Sequence, residues 1–411
     1  MSEAVLHGEP MVTGQDDKPS FLKWKPMFGL LGLIGGLGMW AYLMFGSGEA
    51  HVYALNSFMY GFIFWLAATL GCLGLLLLHN SINSSWTLAV LRIFEAGSHP
   101  LMFAALAFFF IPVRAHMGDV YPWVNPDPHD SILKFKAAYL NIPGFDVRFI
   151  AFFLILAGLS AYLQASTKRQ DSSKDLNEAQ KRTNVGTPGL VIFALVITFL
   201  LTDVAMSLTP HWYSTIYPLW LVIGGCQTAL SLAIILVCSN ADKQPYKDSM
   251  SPALTKDLGN MMFLLTMLWG YTSVSQLIIL WNGNLPDTAI FYAVRGSDFK
   301  LGWNFVGAST ILGCFVIPFS TLLSTRLKRY AKRVRNIAAF IFVFRIVDVF
   351  WIIAASIPKR QTNMAIPTAW DLIGLVVMGL VWFAVMLYRL EKTPLLPLYD
   401  NRLKEAKANA H

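Results

Sequence analysis

Long apolar segments recur along almost the whole chain, and they leave few folds open to it. Ten of these segments are long enough, at 1.5 Å per residue, to cross a hydrocarbon layer of about 30 Å. Their approximate limits are 27–45, 55–78, 86–113, 145–165, 188–209, 214–238, 258–281, 302–323, 336–357 and 369–390. The pattern therefore predicts an all-α polytopic membrane protein with about ten transmembrane helices.

Composition agrees with this prediction and excludes other classes of protein. Hydrophobic residues make up 55% of the 411 residues and charged residues only 14%, whereas soluble chains carry about 25% charged residues. This excludes a soluble enzyme, a disordered protein and a fibrous protein. The net charge of +8 would suit a nucleic-acid partner, but the basic residues lie in loops between apolar blocks. We therefore expect no nucleic-acid binding.

The distribution of Lys and Arg predicts the orientation in the membrane. If the N-terminus is inside, the inside segments carry 23 basic residues and the outside loops carry 7. Basic residues are concentrated in cytoplasmic loops, and ten spans place both termini on one side. The chain is predicted to be multi-pass, with both termini in the cytoplasm.

The two halves of the chain carry a short repeated pattern. Phe199, Asp203 and Val204 in span five match Phe344, Asp348 and Val349 in span nine. The two spans cross in the same direction, which predicts two four-helix bundles, spans two to five and six to nine, as parallel repeats about an axis along the membrane normal.

This repeat fixes the predicted organisation of the chain. The order is a cytoplasmic tail (1–26), a peripheral first helix with its loop (27–54), three helices of bundle one (55–165), a cytoplasmic linker (166–187), the fourth helix of bundle one (188–213), bundle two (214–357), a peripheral tenth helix (358–390) and a cytoplasmic tail (391–411). The proline-rich outside loop 114–144 is expected to pack over the outer surface or against a partner.

Cysteine and histidine patterns argue against a bound cofactor. The four cysteines lie in or at the end of apolar stretches and form no CxxC pair. Only His99 is clearly inside a span, so no pair of histidines at matching depth is available for haem. We predict no catalytic residue, no metal site and no intrinsic redox cofactor in this chain.

Ionisable residues inside apolar spans are the candidates for function, because an unpaired charge there costs several kcal/mol. The first cluster is Asp203, Ser207 and His211, which would climb one face of span five as a proton path unless Pro210 ends the helix first. The alternative is a structural ion pair between Asp203 and an arginine of a neighbouring helix.

Two further clusters have the same double interpretation. Arg345 and Asp348 lie three residues apart in span nine and share one face of the helix. They form either a self-neutralising ion pair or a charge pair that changes partners when a neighbouring acid takes up a proton. Arg92, Glu95 and His99 share one stripe of span three if the helix begins near residue 85 or 86. They suit proton relay from the cytoplasm, or they cap the span at the interface.

Three long segments resemble a known family. They read DLGNMMFLLTMLWGYTSVSQLIILWNGNLPDTAIFYAVR (257–295), PFSTLLSTRLKRYAKRVRNIAAFIFVFRIVDVFW (318–351) and TDVAMSLTPHWYSTIYPLW (202–220). Together they look like the second large membrane subunit of bacterial alternative complex III, a quinol:cytochrome c oxidoreductase. That subunit is related to polysulfide-reductase (NrfD-type) membrane subunits. One departure is Thr288 after Asp287, where the family pattern has a second acid.

The resemblance implies a function and a set of partners. It implies an inner-membrane respiratory subunit without its own redox cofactor, with quinone or quinol bound at the level of the complex. The implied partners are a sister NrfD-like membrane subunit, an iron–sulfur subunit, c-type haem subunits, the lipid bilayer and, as a further candidate, a terminal oxidase. Asp203, His211, Arg345 and Asp348 fall within the matching segments.

A secondary transporter remains the alternative function. Transporters also use repeats and buried charges, but they interrupt corresponding helices with Gly or Pro near mid-membrane. From the sequence, Pro318 is the one clearly internal proline and has no counterpart in the other half. This favours the respiratory subunit.

Overall fold

The computed structural model describes residues 19–82, 87–175, 177–247, 249–296, 302–357 and 365–397. Within these ranges the regular secondary structure is helical, and ten helical stretches are long and apolar enough to cross a membrane. The prediction of an all-α polytopic membrane protein is confirmed. The predicted start of span three, at residue 85 or 86, lies outside the described residues.

The helices are numbered in the order in which they occur along the chain. They are α1 (Lys25–Phe45), α2 (Glu49–Ser81), α3 (Leu91–Gly97), α4 (Pro100–Ala115), α5 (Met117–Val120), α6 (Ser131–Lys136), α7 (Ile142–Ser173), α8 (Asn177–Val204), α9 (Tyr217–Cys238), α10 (Pro252–Gly283), α11 (Pro286–Gly296), α12 (Trp303–Ile311), α13 (Ile317–Leu322), α14 (Thr325–Lys328), α15 (Ala331–Ala354) and α16 (Ala369–Glu391). A π-helical turn, Leu312–Val316, joins α12 to α13.

Helices α2 and α9 form the centre of the molecule. Both are apolar on all sides, which is the pattern of a fully buried helix, and both are almost completely enclosed by other helices. They cross where Gly71 meets Gly225. A Cβ added to Gly71 would lie 2.2 Å from the Gly225 backbone, so this crossing requires glycine. In each helix a buried cysteine, Cys72 or Cys226, follows the glycine.

The other helices surround this crossing in a repeated order. Helix α8 packs against α2, and α15 packs against α9 in the corresponding position. Helix α7 packs against α8 as α12 packs against α15. This order is the one that two parallel four-helix units would have, and it places Asp203 and Asp348 on corresponding helices.

The first and last spans differ in how tightly they are held. Helix α1 is mostly exposed to the surroundings, as a peripheral helix is expected to be. Helix α16, which was predicted to be peripheral, lies closely along α2, where Gly61 contacts the Gly374 backbone and Trp65 Nε1 donates to the Leu375 carbonyl at 2.8 Å. Gly32 of α1 likewise lies against the Leu380 backbone of α16, so the two spans differ in how much surface is exposed and not in the use of glycine contacts.

An ion pair between Lys25 of α1 and Glu391 of α16 shows that both described ends of the chain lie at the same end of the bundle. We call this end the terminal face. Its location agrees with an even number of spans. The assignment of the terminal face to the cytoplasm stays a prediction from the distribution of Lys and Arg.

The segment 166–187 was predicted to be a linker, but most of it is helical. Helix α7 continues to Ser173 and α8 begins at Asn177. Polar side chains hold the two extensions together, since buried Glu178 accepts hydrogen bonds from Ser166 at 2.7 Å and Lys181 at 2.6 Å. The helices therefore project beyond their apolar parts as a paired polar extension.

The loop 114–144 covers the face opposite the termini, as expected. It contains the short helices α5 and α6. Its Tyr121 is buried and donates a hydrogen bond to the Val204 carbonyl at 2.9 Å. Arg114 and Asp146 form an ion pair of 2.6 Å that ties the start of the loop to α7. The loop therefore forms an ordered cap over bundle one.

Candidate functional site

The third span is broken in the middle of its polar cluster. Helix α3 ends at Gly97 and α4 begins at Pro100. Proline has no N–H and forces the residue before it out of the helical conformation, and His99 accordingly has φ −59° and ψ 145°. The predicted continuous stripe of Arg92, Glu95 and His99 is therefore wrong: the first two lie on α3, and His99 caps α4.

The break is tolerated because α7 supplies the missing hydrogen bonds. Gln164 Nε2 donates to the Glu95 carbonyl at 2.8 Å, and Ser160 Oγ donates to the Ser98 carbonyl at 2.5 Å. Interrupted backbone persists at membrane depth only where protein groups or water satisfy it. Polar residues of α7 thus hold the two half-helices in place.

Arg92 links two carboxylates beside this break. Its Nη1 donates to Glu95 at 2.9 Å, and its Nη2 donates to Asp171 of α7 at 2.6 Å. The Arg92 side chain is only 3% exposed, yet the group borders a cleft of about 640 Å³ that opens toward the terminal face. Two acids and one buried cation are therefore within reach of water.

His99 lies in the same cleft with a defined hydrogen bond. Its Nδ1 accepts from the Leu101 N–H at 3.1 Å. An accepting Nδ1 places the proton of the neutral ring on Nε2. His99 and Glu95 are both cleft residues, so the structure keeps them in one site although it separates them onto two helices.

The second candidate, Asp203, lies at the end of α8 and is completely buried. Its carboxylate accepts a hydrogen bond from Arg148 Nε of α7 at 2.7 Å. Arg148 also donates to the Tyr139 carbonyl at 3.1 Å, and its guanidinium lies over the Tyr139 ring. The structure thus identifies the arginine partner that the sequence left open, while the proton role of Asp203 stays a prediction.

The predicted stripe from Asp203 through Ser207 to His211 is not continuous. Helix α8 ends at Val204, and Ser207 Oγ donates to the Asp203 backbone carbonyl rather than to its carboxylate. His211 instead lies in the outer cap, 2.6 Å from Asp130. Hydrogen bonds from the Leu133 N–H and from His211 hold the pKa of Asp130 below its ordinary value.

The third candidate, Arg345 with Asp348, is the most deeply buried ion pair of the described residues. Arg345 Nη1 lies 2.5 Å from Asp348 Oδ2, and both side chains are at most 1% exposed. The guanidinium packs against Gly224 of α9, where a Cβ would lie 1.7 Å from Arg345 Nη2. Among the described residues, Asp348 Oδ1 and Arg345 Nε have no hydrogen-bond partner, so the neighbouring helices satisfy the pair only in part.

Three partners of the candidate residues were missed from the sequence. Arg148 lies inside predicted span four, and Asp171 falls in the predicted linker 166–187, where a polar run hides a helix. Asp130 was part of an outer loop. Arg148 and Asp171 both belong to α7, together with Ser160 and Gln164, and this recurrence of polar residues along one apolar helix is the signal that the sequence offers.

The described residues contain no group of three or more His, Cys, Asp or Glu that could hold a metal ion. No protein-family model matches the chain, and no curated protein matches it significantly. The geometry of the three clusters is therefore the basis on which a function can be assigned.

Proposed function

We propose that this chain is a membrane subunit, without its own redox cofactor, of a respiratory quinol:electron-acceptor oxidoreductase, and that it contributes a proton path. The observation that carries the proposal is the cleft at the terminal face that reaches Arg92, Glu95 and His99. Titratable groups that are buried and still accessible from one side are suited to take up protons. The resemblance of segments 202–220, 257–295 and 318–351 supports the respiratory assignment.

The buried pairs further along the bundle could continue such a path. Asp203 and Asp348 lie on the corresponding helices α8 and α15, each beside an arginine. Protonation of Asp203 would release Arg148, which still has the Tyr139 carbonyl as an acceptor. The partners proposed are the sister membrane subunit, an iron–sulfur subunit and c-type haem subunits.

A secondary transporter is the second candidate, and one finding raises its weight. Pro318 is not the one internal proline, because Pro112 and Pro188 also lie inside helices and Pro100 starts a half-helix. Both halves are interrupted, by the break before Pro100 and by the π-helical turn Leu312–Val316. These interruptions fall in spans three and eight, which are not corresponding members of the repeat. Transporters interrupt corresponding helices, so the match to a transporter is incomplete and the respiratory subunit stays the first candidate.

Co-purification separates the two functions. An affinity tag on the chain, with mild detergent extraction from the native membrane, should recover haem-containing and iron–sulfur-containing subunits together with quinol oxidation activity. The chain expressed alone should show no Soret band. Recovery of the chain alone from native membranes, or a stoichiometric Soret band in the isolated chain, would contradict the proposal.

Glu95→Gln is expected to slow proton-coupled turnover. The variant removes a titratable group but leaves Arg92 paired with Asp171, so the protein should fold. Loss of an acid–base group lowers rates by about 100-fold. The measurement is quinol oxidation with proton release in liposomes. Asp257→Asn, an acid outside the cleft, is the matched control, and equal turnover of both variants would remove Glu95 from the path.

The predicted orientation can be tested at the most basic loop. Residues 326–335 include six Lys and Arg, which predicts that this segment is cytoplasmic. Arg329→Cys should then be labelled by a membrane-impermeant maleimide only after the membrane is opened, whereas Phe135→Cys in α6 should be labelled in intact cells. The opposite pattern would reverse the orientation, and with it the side from which the cleft takes up protons.

A further inference from the structure

The cleft at the terminal face carries more positive charge than its acids can neutralise. Its two acids, Glu95 and Asp171, are both paired with Arg92. Lys168 and Arg389 also line the cleft. Neither of them has an ion-pair partner among the residues that the structure describes, so the lining holds cations that are free to attract an anion.

The guanidinium of Arg389 is not used elsewhere among the described residues. Its Nε is buried and has no hydrogen-bond partner in the described part of the chain, so it lacks an acceptor. Helix α4 begins at Pro100 in the cleft wall, but its end offers no free donor there, since Pro100 has no N–H and the Leu101 N–H is bonded to His99 Nδ1. An unpaired guanidinium and a lysine therefore line one cleft.

We propose that this cleft binds a phosphate group, supplied by the headgroup of an anionic lipid in the leaflet at the terminal face. Arg389 and Lys168 would contact the phosphate oxygens, since guanidinium and ammonium groups form charge-assisted hydrogen bonds to phosphate. Apolar surface for acyl chains lies directly beside the cleft, because Leu101 and Tyr162 follow cleft residues and are 44% and 39% exposed. This surface is what favours a lipid over free phosphate.

The proposal is tested with the full-length protein in nanodiscs of phosphatidylcholine with or without phosphatidylglycerol. Native mass spectrometry counts retained lipids, and the thermal unfolding midpoint is recorded in parallel. The wild type should retain phosphatidylglycerol in preference to phosphatidylcholine and unfold at a higher temperature in its presence. Lys168→Gln and Arg389→Gln should each lower this preference about fivefold.

Lys332→Gln, a basic residue at the start of α15 outside the cleft, is the matched control and should retain the lipid as the wild type does. Because Lys168 is exposed, its variant reports on binding even if Arg389→Gln folds poorly. Inorganic phosphate that raises the unfolding temperature in pure phosphatidylcholine and displaces phosphatidylglycerol would assign the site to a soluble anion instead. Equal retention of both lipids by the wild type, or equal losses in Lys332→Gln and Lys168→Gln, would overturn the proposal.

Discussion

Asp348→Asn is expected to leave the protein largely unfolded or unassembled. The substitution removes the counter-charge of Arg345. The Arg345 side chain is 0% exposed and packs directly against Gly224 on the neighbouring helix. Removing one partner of a buried ion pair costs about 3–5 kcal/mol, because the other charge stays buried without compensation. The measurement is the amount of monodisperse protein in detergent and its thermal unfolding midpoint.

The double variant Arg345→Met with Asp348→Leu is the control for this result. It removes both charges, and such replacements are often neutral or stabilising. The double variant should therefore accumulate like the wild type, and its proton-to-electron ratio then tests the proton role without a folding defect. Normal accumulation of Asp348→Asn would show that Arg345 finds another acceptor, and the buried-pair argument would fail.

The corresponding substitution in bundle one should be milder. In Asp203→Asn the unpaired cation is Arg148, which is 21% exposed and keeps its hydrogen bond to the Tyr139 carbonyl. This variant should assemble. If Asp203 carries protons, proton release per quinol oxidised should fall or turnover should slow. Normal assembly with unchanged turnover and ratio would eliminate that role, while poor assembly would mark Asp203 as structural.

Gly71→Val is the second substitution with a large expected effect. The added Cβ would lie 2.2 Å from the carbonyl carbon and oxygen of Gly225, so two central backbones would have to separate. Overpacking in a tight core costs about 3 kcal/mol when neighbours cannot move aside. The thermal unfolding midpoint should drop sharply, and the yield of folded protein should drop with it.

Gly158→Val provides the matched control, because the same substitution is made in a membrane-spanning helix where no heavy atom lies within 4 Å of the added Cβ. Its cost should stay below about 1 kcal/mol. Similar unfolding temperatures for Gly71→Val and Gly158→Val would mean that the crossing of α2 and α9 is looser than the structure indicates.

The local pattern predicted the spans well and their ends less well. Apolar length located ten spans, because only a long apolar helix meets the demands of a membrane. The helices extend beyond those limits at 166–187, where polar residues of α7 and α8 pair with each other. Hydropathy cannot detect such an extension, since it scores each residue against lipid and not against the facing helix.

The break in span three was predictable in part. The His99–Pro100 pair is a local signal for a helix end, because the residue before proline avoids the helical conformation. What the pair could not show is how the freed carbonyls are satisfied. That depends on Ser160 and Gln164, which are more than 60 positions away and reach the break only in the folded bundle.

The sequence by itself determined the class of protein, the number of spans and the identity of most charged residues inside them, since each follows from composition along the chain. Only the tertiary structure decided which charges meet. Asp203 pairs with Arg148, Arg92 with Asp171, and His211 with Asp130, across separations of 55, 79 and 81 positions. A buried charge needs a partner, but the sequence around it does not say which one. Helix packing selects the partner, because two helices meet through faces formed by residues far apart in the chain and through close crossings such as that of Gly71 with Gly225.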